Sequence, residues 1–209
     1  MLVVIQAAAQ YDIPFMIKAL LLMVAPAATW ERIARSRRNI PFVFFLYLLP
    51  TIALSILIEL AGHNYLVPRF YESGARAMPR ELAIHWGIAE LVAGVLVAFL
   101  FCLIIQLCAR TFHKRNTLTQ CFAVAAYALG PFYLVHIFDA VPVLSQWVTL
   151  AVGIALSLVT LYHAVPLVLK PDPPHAFGLF VMSCFVLIML LGMARMGLLL
   201  AVPARMQLH

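Results

Sequence analysis

Ile40 to Gly62 reads IPFVFFLYLLPTIALSILIELAG, a run with a single acidic residue near its end. As a helix it is long enough to cross a bilayer, whose hydrocarbon core takes about 20 apolar residues. Four more such runs follow, at roughly Ile84 to Ala109, Leu118 to Phe138, Val143 to Leu169 and Ala176 to Val202. Only helices and closed barrels satisfy their backbone polar groups in lipid, and runs of this length suit helices. The pattern predicts an all-α fold, a polytopic transmembrane bundle of five spans. Composition agrees: 65% of residues are hydrophobic and 11% are charged, too little polar surface for a soluble domain of this size.

Residues 1–39 read as an N-terminal cytoplasmic or interfacial amphipathic segment, and residues 40–209 as the five-span membrane domain. The stretch Ile13 to Thr29, IPFMIKALLLMVAPAAT, is short for a span and carries Lys18. An interfacial or re-entrant helix is expected there, with a sixth span as the alternative. Trp30 and ERIARSRR behind it suit the headgroup zone. The opening MLVVIQAAAQYD has no basic leader, so it is expected to be retained.

Charge predicts orientation. Five spans put Arg32, Arg35, Arg37 and Arg38 on the same side as Arg110, Lys114, Arg115 and Lys170. The opposite side holds Arg69, Arg76 and Arg80, offset by Glu72 and Glu81. The positive-inside rule then places the N-terminus in the cytoplasm and the C-terminus outside. The net charge of +6 therefore need not mean nucleic acid, since Lys and Arg gather in the cytoplasmic loops of membrane proteins. No zinc finger, phosphate loop or basic-aromatic ladder points to nucleic acid. GIAELVAG is not a phosphate loop, because its glycines are embedded in an apolar helix. Cys102, Cys108, Cys121 and Cys184 form no CxxC pair and read as buried free thiols.

Pro50, Pro131 (after Gly130) and Pro166 place one irregularity in each of three spans, because proline removes a helix hydrogen bond. Pro171 stands in KPDPP, which cannot continue a helix, and Asp172 suits a cap. YHAVPLVLKPDPPHAFG, Tyr162 to Gly178, therefore predicts a rigid, short hairpin between the fourth and fifth spans.

These segments resemble the Yip domain family of small multi-spanning membrane proteins. MVAPAATWERI, Met23 to Ile33, is similar to the family's entry segment. AYALGPFYLVHIF, Ala126 to Phe138, is similar to its tyrosine-to-proline motif. In Tyr162 to Gly178, Tyr162, Pro166 and Pro171 match its closing aromatic and proline pattern. Ala176 falls at its lysine-alanine-like position, with His175 where lysine is common. The resemblance runs from about Leu21 to the final span. It implies a helical membrane domain. Some eukaryotic members of the family bind Rab-type GTPases in vesicle traffic, and bacterial members are inner-membrane proteins. Rab binding does not transfer to this chain, since nothing in it indicates a vesicle system.

Ionisable residues inside spans are functional-site candidates, because burying charge is expensive. Glu59, His85, Glu90, His136, Asp139 and Arg195 all fall toward the outer ends of their spans, and Gln146 opens the fourth. His136 and Asp139, three apart, share a helix face. Arg195 suits pairing with Glu59 or Glu90. One reading is an interhelical ion pair that pins the bundle, with some groups snorkelling to the interface. The other is a polar cavity that exchanges protons or moves a small solute, or holds a metal through His85, His136, Asp139 and Glu90. Ala89 with Ala93, and Gly94 with Ala98, allow close helix approach.

No GxSxG elbow or other local catalytic signature is present, so a non-enzymatic role without cofactor is expected. The expected role is membrane organisation or partner and lipid binding, and the alternative is a small ion, proton or solute transporter or metal-binding protein. Expected partners are membrane lipids and a protein partner or second copy, through the basic patch Arg32, Arg35, Arg37, Arg38, Arg110, Lys114 and Arg115.

Overall fold

The computed structural model describes residues 15–36, 38–65, 79–111, 116–141 and 143–201. Two short helices, α1 (Phe15–Val24) and α2 (Pro26–Ser36), precede five long ones. α3 runs Ile40–Tyr65 and α4 Arg80–Thr111. α5 runs Leu118–His136 and tightens into a 3₁₀ turn at Ile137–Ala140. α6 runs Gln146–Ala164 and ends in a π turn at Val165–Leu169. α7 runs Pro173–Ala201. Five of these helices are long and apolar enough to cross a membrane, and they coincide with the five expected runs.

α5 is the axis of the bundle. Of its most apolar stretch 72% is buried, against 22% for α7. Every residue from Val124 to His136 is inside. Small side chains explain this position. Ala125, Ala126, Ala128 and Gly130 bring neighbouring backbones close, and helices in lipid associate chiefly through such packing. α3, α4 and α6 surround α5, and α7 lies against α4 and α6. Leu96, Leu103, Phe185 and Met193 point outward, as suits lipid-facing surface.

Ser145 and Thr117 start their helices. Thr117 forms a reciprocal capping box with Gln120, and the Ser145 hydroxyl accepts from the Trp147 N–H.

The prolines act in three ways. Ahead of Pro50, α3 widens into a π turn at Phe44–Leu48, which relieves the ring's clash with the preceding turn. Pro166 lies inside the π turn that closes α6, where the Lys170 N–H reaches the Val165 carbonyl at 3.2 Å. Lys170 then adopts a left-handed conformation, φ 44°, and reverses the chain toward Pro171. The Asp172 carbonyl accepts from the His175 N–H at 2.8 Å. Pro131, by contrast, lies within an unbroken helical stretch. Beside it Gly130 packs against the Tyr47 hydroxyl, where a Cβ has no room.

α1 and α2 are separated by Ala25 alone, and helical bonding runs across the junction, from the Ala25 N–H to the Leu21 carbonyl and from the Thr29 N–H to the Ala25 carbonyl. Both pack on α5 and α6. At 10 residues, α1 is about 15 Å long, half of a bilayer core. α1 is not one of the five long apolar helices. Trp30 is fully buried, edge-on to Tyr127 at 6.1 Å. Arg37, Lys114 and Arg115 lie outside the described residues.

Candidate functional site

The polar residues gather at the end of the bundle where α5 turns into α6. Glu59 stands two turns from the end of α3, Glu90 three turns into α4, and Arg195 near the end of α7. Each is nearly sealed: Glu59 is 2% exposed, Glu90 6%, His136 9%, Asp139 4% and Arg195 5%. Gly62 lets α3 press onto the 3₁₀ turn, since a Cβ there runs into Ala140. That contact places Glu59 beside the end of α5.

The His136 ring is the hub. Its Nε2 lies 3.4 Å from Glu90 Oε1, and its Nδ1 lies 2.5 Å from Asp139 Oδ2. Asp139 Oδ1 accepts the Thr149 hydroxyl of α6. The Arg195 Nη2 lies 3.7 Å from Asp139 Oδ2. Ligand atoms of Glu59, Glu90 and His136 all lie within 4.8 Å of one another. Three carboxylates thus face one guanidinium among the described residues. With His136 neutral the group lacks two positive charges, and a buried imbalance of that kind calls for protons or a cation.

A small cleft opens beside this hub between α4, α5 and α7. Its volume is about 30 Å³, and Glu90, Gly94, His136 and Arg195 line it. It has room for about two waters. Gly94 leaves space for the Tyr133 hydroxyl, which approaches within 2.9 Å of where a Cβ would stand. Gly94 and Ala98 are buried at the packed face of α4, whereas Ala89 and Ala93 are half-buried.

The model of the Yip1 domain matches residues 20–195. The chain belongs to the Yip1 domain family. No curated protein and no solved structure matches it. The match covers the second half of α1 through Arg195, so every residue of the polar hub lies inside the Yip1 domain.

Within this Yip1 domain, five of the six polar residues singled out from the sequence come together: Glu59, Glu90, His136, Asp139 and Arg195. His85 does not. It is exposed, and its Nδ1 lies 2.6 Å from the Glu81 carbonyl of its own helix. Five residues along a helix carry a side chain about 140° around from its starting face, so His85 and Glu90 point apart. The ligand set expected from sequence, His85, His136, Asp139 and Glu90, is therefore not the set that converges. Glu59 stands where His85 was expected, and Asp139 contacts the far side of the imidazole. Thr149 is the member sequence reading missed. It lies one turn after the Ser145 cap, a polar residue in an apolar helix, and that was its only signal.

The basic end lies opposite. Arg35 is exposed and pairs with Glu31 at 3.5 Å, a surface pair of small energetic weight. The Arg38 guanidinium lies 4.4 Å over the Phe42 ring. Arg110 is exposed at the end of α4.

Proposed function

We propose that this Yip1-domain protein is a non-enzymatic membrane organiser that holds anionic lipid headgroups or an acidic protein partner at its basic end. The carrying observation is the anchoring of α2. Trp30 locks this amphipathic helix into the bundle, so Arg32 and Arg35 stand on a fixed support. Rigid presentation lowers the ordering cost of binding, and each basic group near an anionic surface contributes about 1 kcal/mol. We place the chain in a bacterial inner membrane, with the N-terminus and the basic end cytoplasmic and the C-terminus periplasmic.

A layer of apolar side chains favours this reading over transport. Ile52, Val97, Phe101, Phe122 and Leu129 are buried between the polar hub and the basic end. The hydroxyls of Thr51, Ser55, Thr160 and Ser183 bond to carbonyls of their own helices, so they do not form a relay between the two ends.

The test is native mass spectrometry of protein released gently from its membrane, comparing wild type with Arg35→Glu/Arg110→Glu. Loss of a co-purifying anionic lipid or acidic protein in the variant supports the reading. An unchanged bound set, or pH-dependent flux in proteoliposomes with nothing bound, overturns it.

A further inference from the structure

We infer that Glu59, Glu90 and His136 Nε2 form a three-ligand site for a divalent transition metal of the zinc class. The remaining coordination position faces the cleft lined by Arg195. This goes beyond partner binding at the basic end and is independent of it.

The geometry carries the assignment. Zinc bonds to nitrogen and oxygen are about 2.0–2.1 Å long, so neighbouring ligand atoms in a tetrahedron stand about 3.4 Å apart. His136 Nε2 and Glu90 Oε1 are separated by 3.4 Å. A ligand atom of the Glu59 carboxylate lies within 4.8 Å of both partners.

The far side of the imidazole is arranged as metal-binding histidines require. Asp139 engages Nδ1, and Thr149 in turn holds Asp139. A carboxylate against Nδ1 is the neighbour a metal-binding histidine takes there, and Nε2 is the nitrogen turned toward Glu90. The arrangement would mean little without a group that lacks a partner, and Glu90 supplies one. Its Oε2 is buried without a hydrogen bond, on a residue only 6% exposed that lines the cleft. Arg195 Nη1 and Nη2 likewise make no hydrogen bond, though the side chain is 95% enclosed by its 5% exposure and lines the same space. A water in the fourth position would lie within their reach.

Charge closes the argument. A dication on two carboxylates and a neutral imidazole is neutral overall, and Asp139 with Arg195 is neutral beside it. An imidazole ligand favours the zinc class over magnesium or calcium, which take oxygen shells.

The experiment is a titration of the full-length, chelator-stripped protein in detergent with Zn²⁺ alone, read by chelator competition and by elemental analysis after desalting. About one Zn²⁺ per chain is expected, with a higher melting temperature on loading. Glu59→Gln, Glu90→Gln and His136→Gln should each weaken binding by at least about 10-fold, and Asp139→Asn by about 10–100-fold. His85→Ala should bind as wild type does. Wild-type protein that takes up no stoichiometric Zn²⁺ overturns the assignment, whatever the variants do. Binding that survives both Glu90→Gln and His136→Gln also overturns it. So does a metal-indifferent wild type that melts higher on Glu90→Gln, which would put a shared proton in the metal's place.

Discussion

His136 and Asp139 stand one helical turn apart with Nδ1 and Oδ2 at 2.5 Å, because α5 tightens into a 3₁₀ turn between them. The turn carries Asp139 back under the imidazole and toward α6, where Thr149 meets it. Thr149→Val removes that hydroxyl while keeping the shape. A hydrogen bond to a charged group contributes about 1.5–3 kcal/mol, so the variant should lose stability in that range. Unfolding in mixed micelles measures it, with Thr149→Ser recovering most of the loss.

Arg195 is the sole guanidinium of the hub among the described residues, and Asp139 is its ion-pair partner. Arg195→Met leaves a buried carboxylate without a counter-charge, which costs about 3–5 kcal/mol. Asp139→Asn in the same chain should restore part of it. If the double variant is less stable than the additive sum of the singles, the pair is not coupled in the way the geometry indicates.

Gly62 and Gly192 make a matched contrast. A Cβ at Gly62 collides with Ala140, including its backbone, whereas one at Gly192 meets nothing within 4 Å. Gly62→Ala should destabilise by about 1–3 kcal/mol, as overpacking does. Gly192→Ala should be neutral or gain up to about 1 kcal/mol from helix propensity. Melting temperatures of the two variants in one detergent decide it.

Trp30→Ala should free α2 from the bundle. Removing a buried tryptophan costs about 3–5 kcal/mol, and here the loss falls on α2. Hydrogen exchange should rise across Pro26–Ser36 while the α5 core stays protected. Equal protection in both proteins would show that other contacts hold α2, and would weaken the rigid-support reading of the basic end.

Much of the membrane architecture was legible because lipid imposes a simple requirement. Each span must be apolar for about 20 residues, and that pattern is local. The runs found in the sequence match α3 to α7 closely. Prolines also speak locally, so irregularities at Pro50 and Pro166 were foreseeable, although their form as π turns was not. The unbroken helix through Pro131 depended on neighbours, since Val124 to His136 are buried on all sides.

The polar hub divides in the same way. His136 and Asp139 could be paired from sequence because they share a helix and lie three residues apart. Sequence also showed that Glu59, Glu90 and Arg195 are costly residues for their spans, hence worth a partner. It could not say which helix faces which. His85 was grouped with Glu90 on one helix, yet helical rotation turns it outward. Glu59 and Thr149 entered the hub because α3 presses onto the 3₁₀ turn at Gly62 and α6 packs along α5. Composition and periodicity along one chain determined five spans and a set of expensive side chains. Which of those side chains meet was decided by the packing of separate helices, a long-range property that no single segment carries.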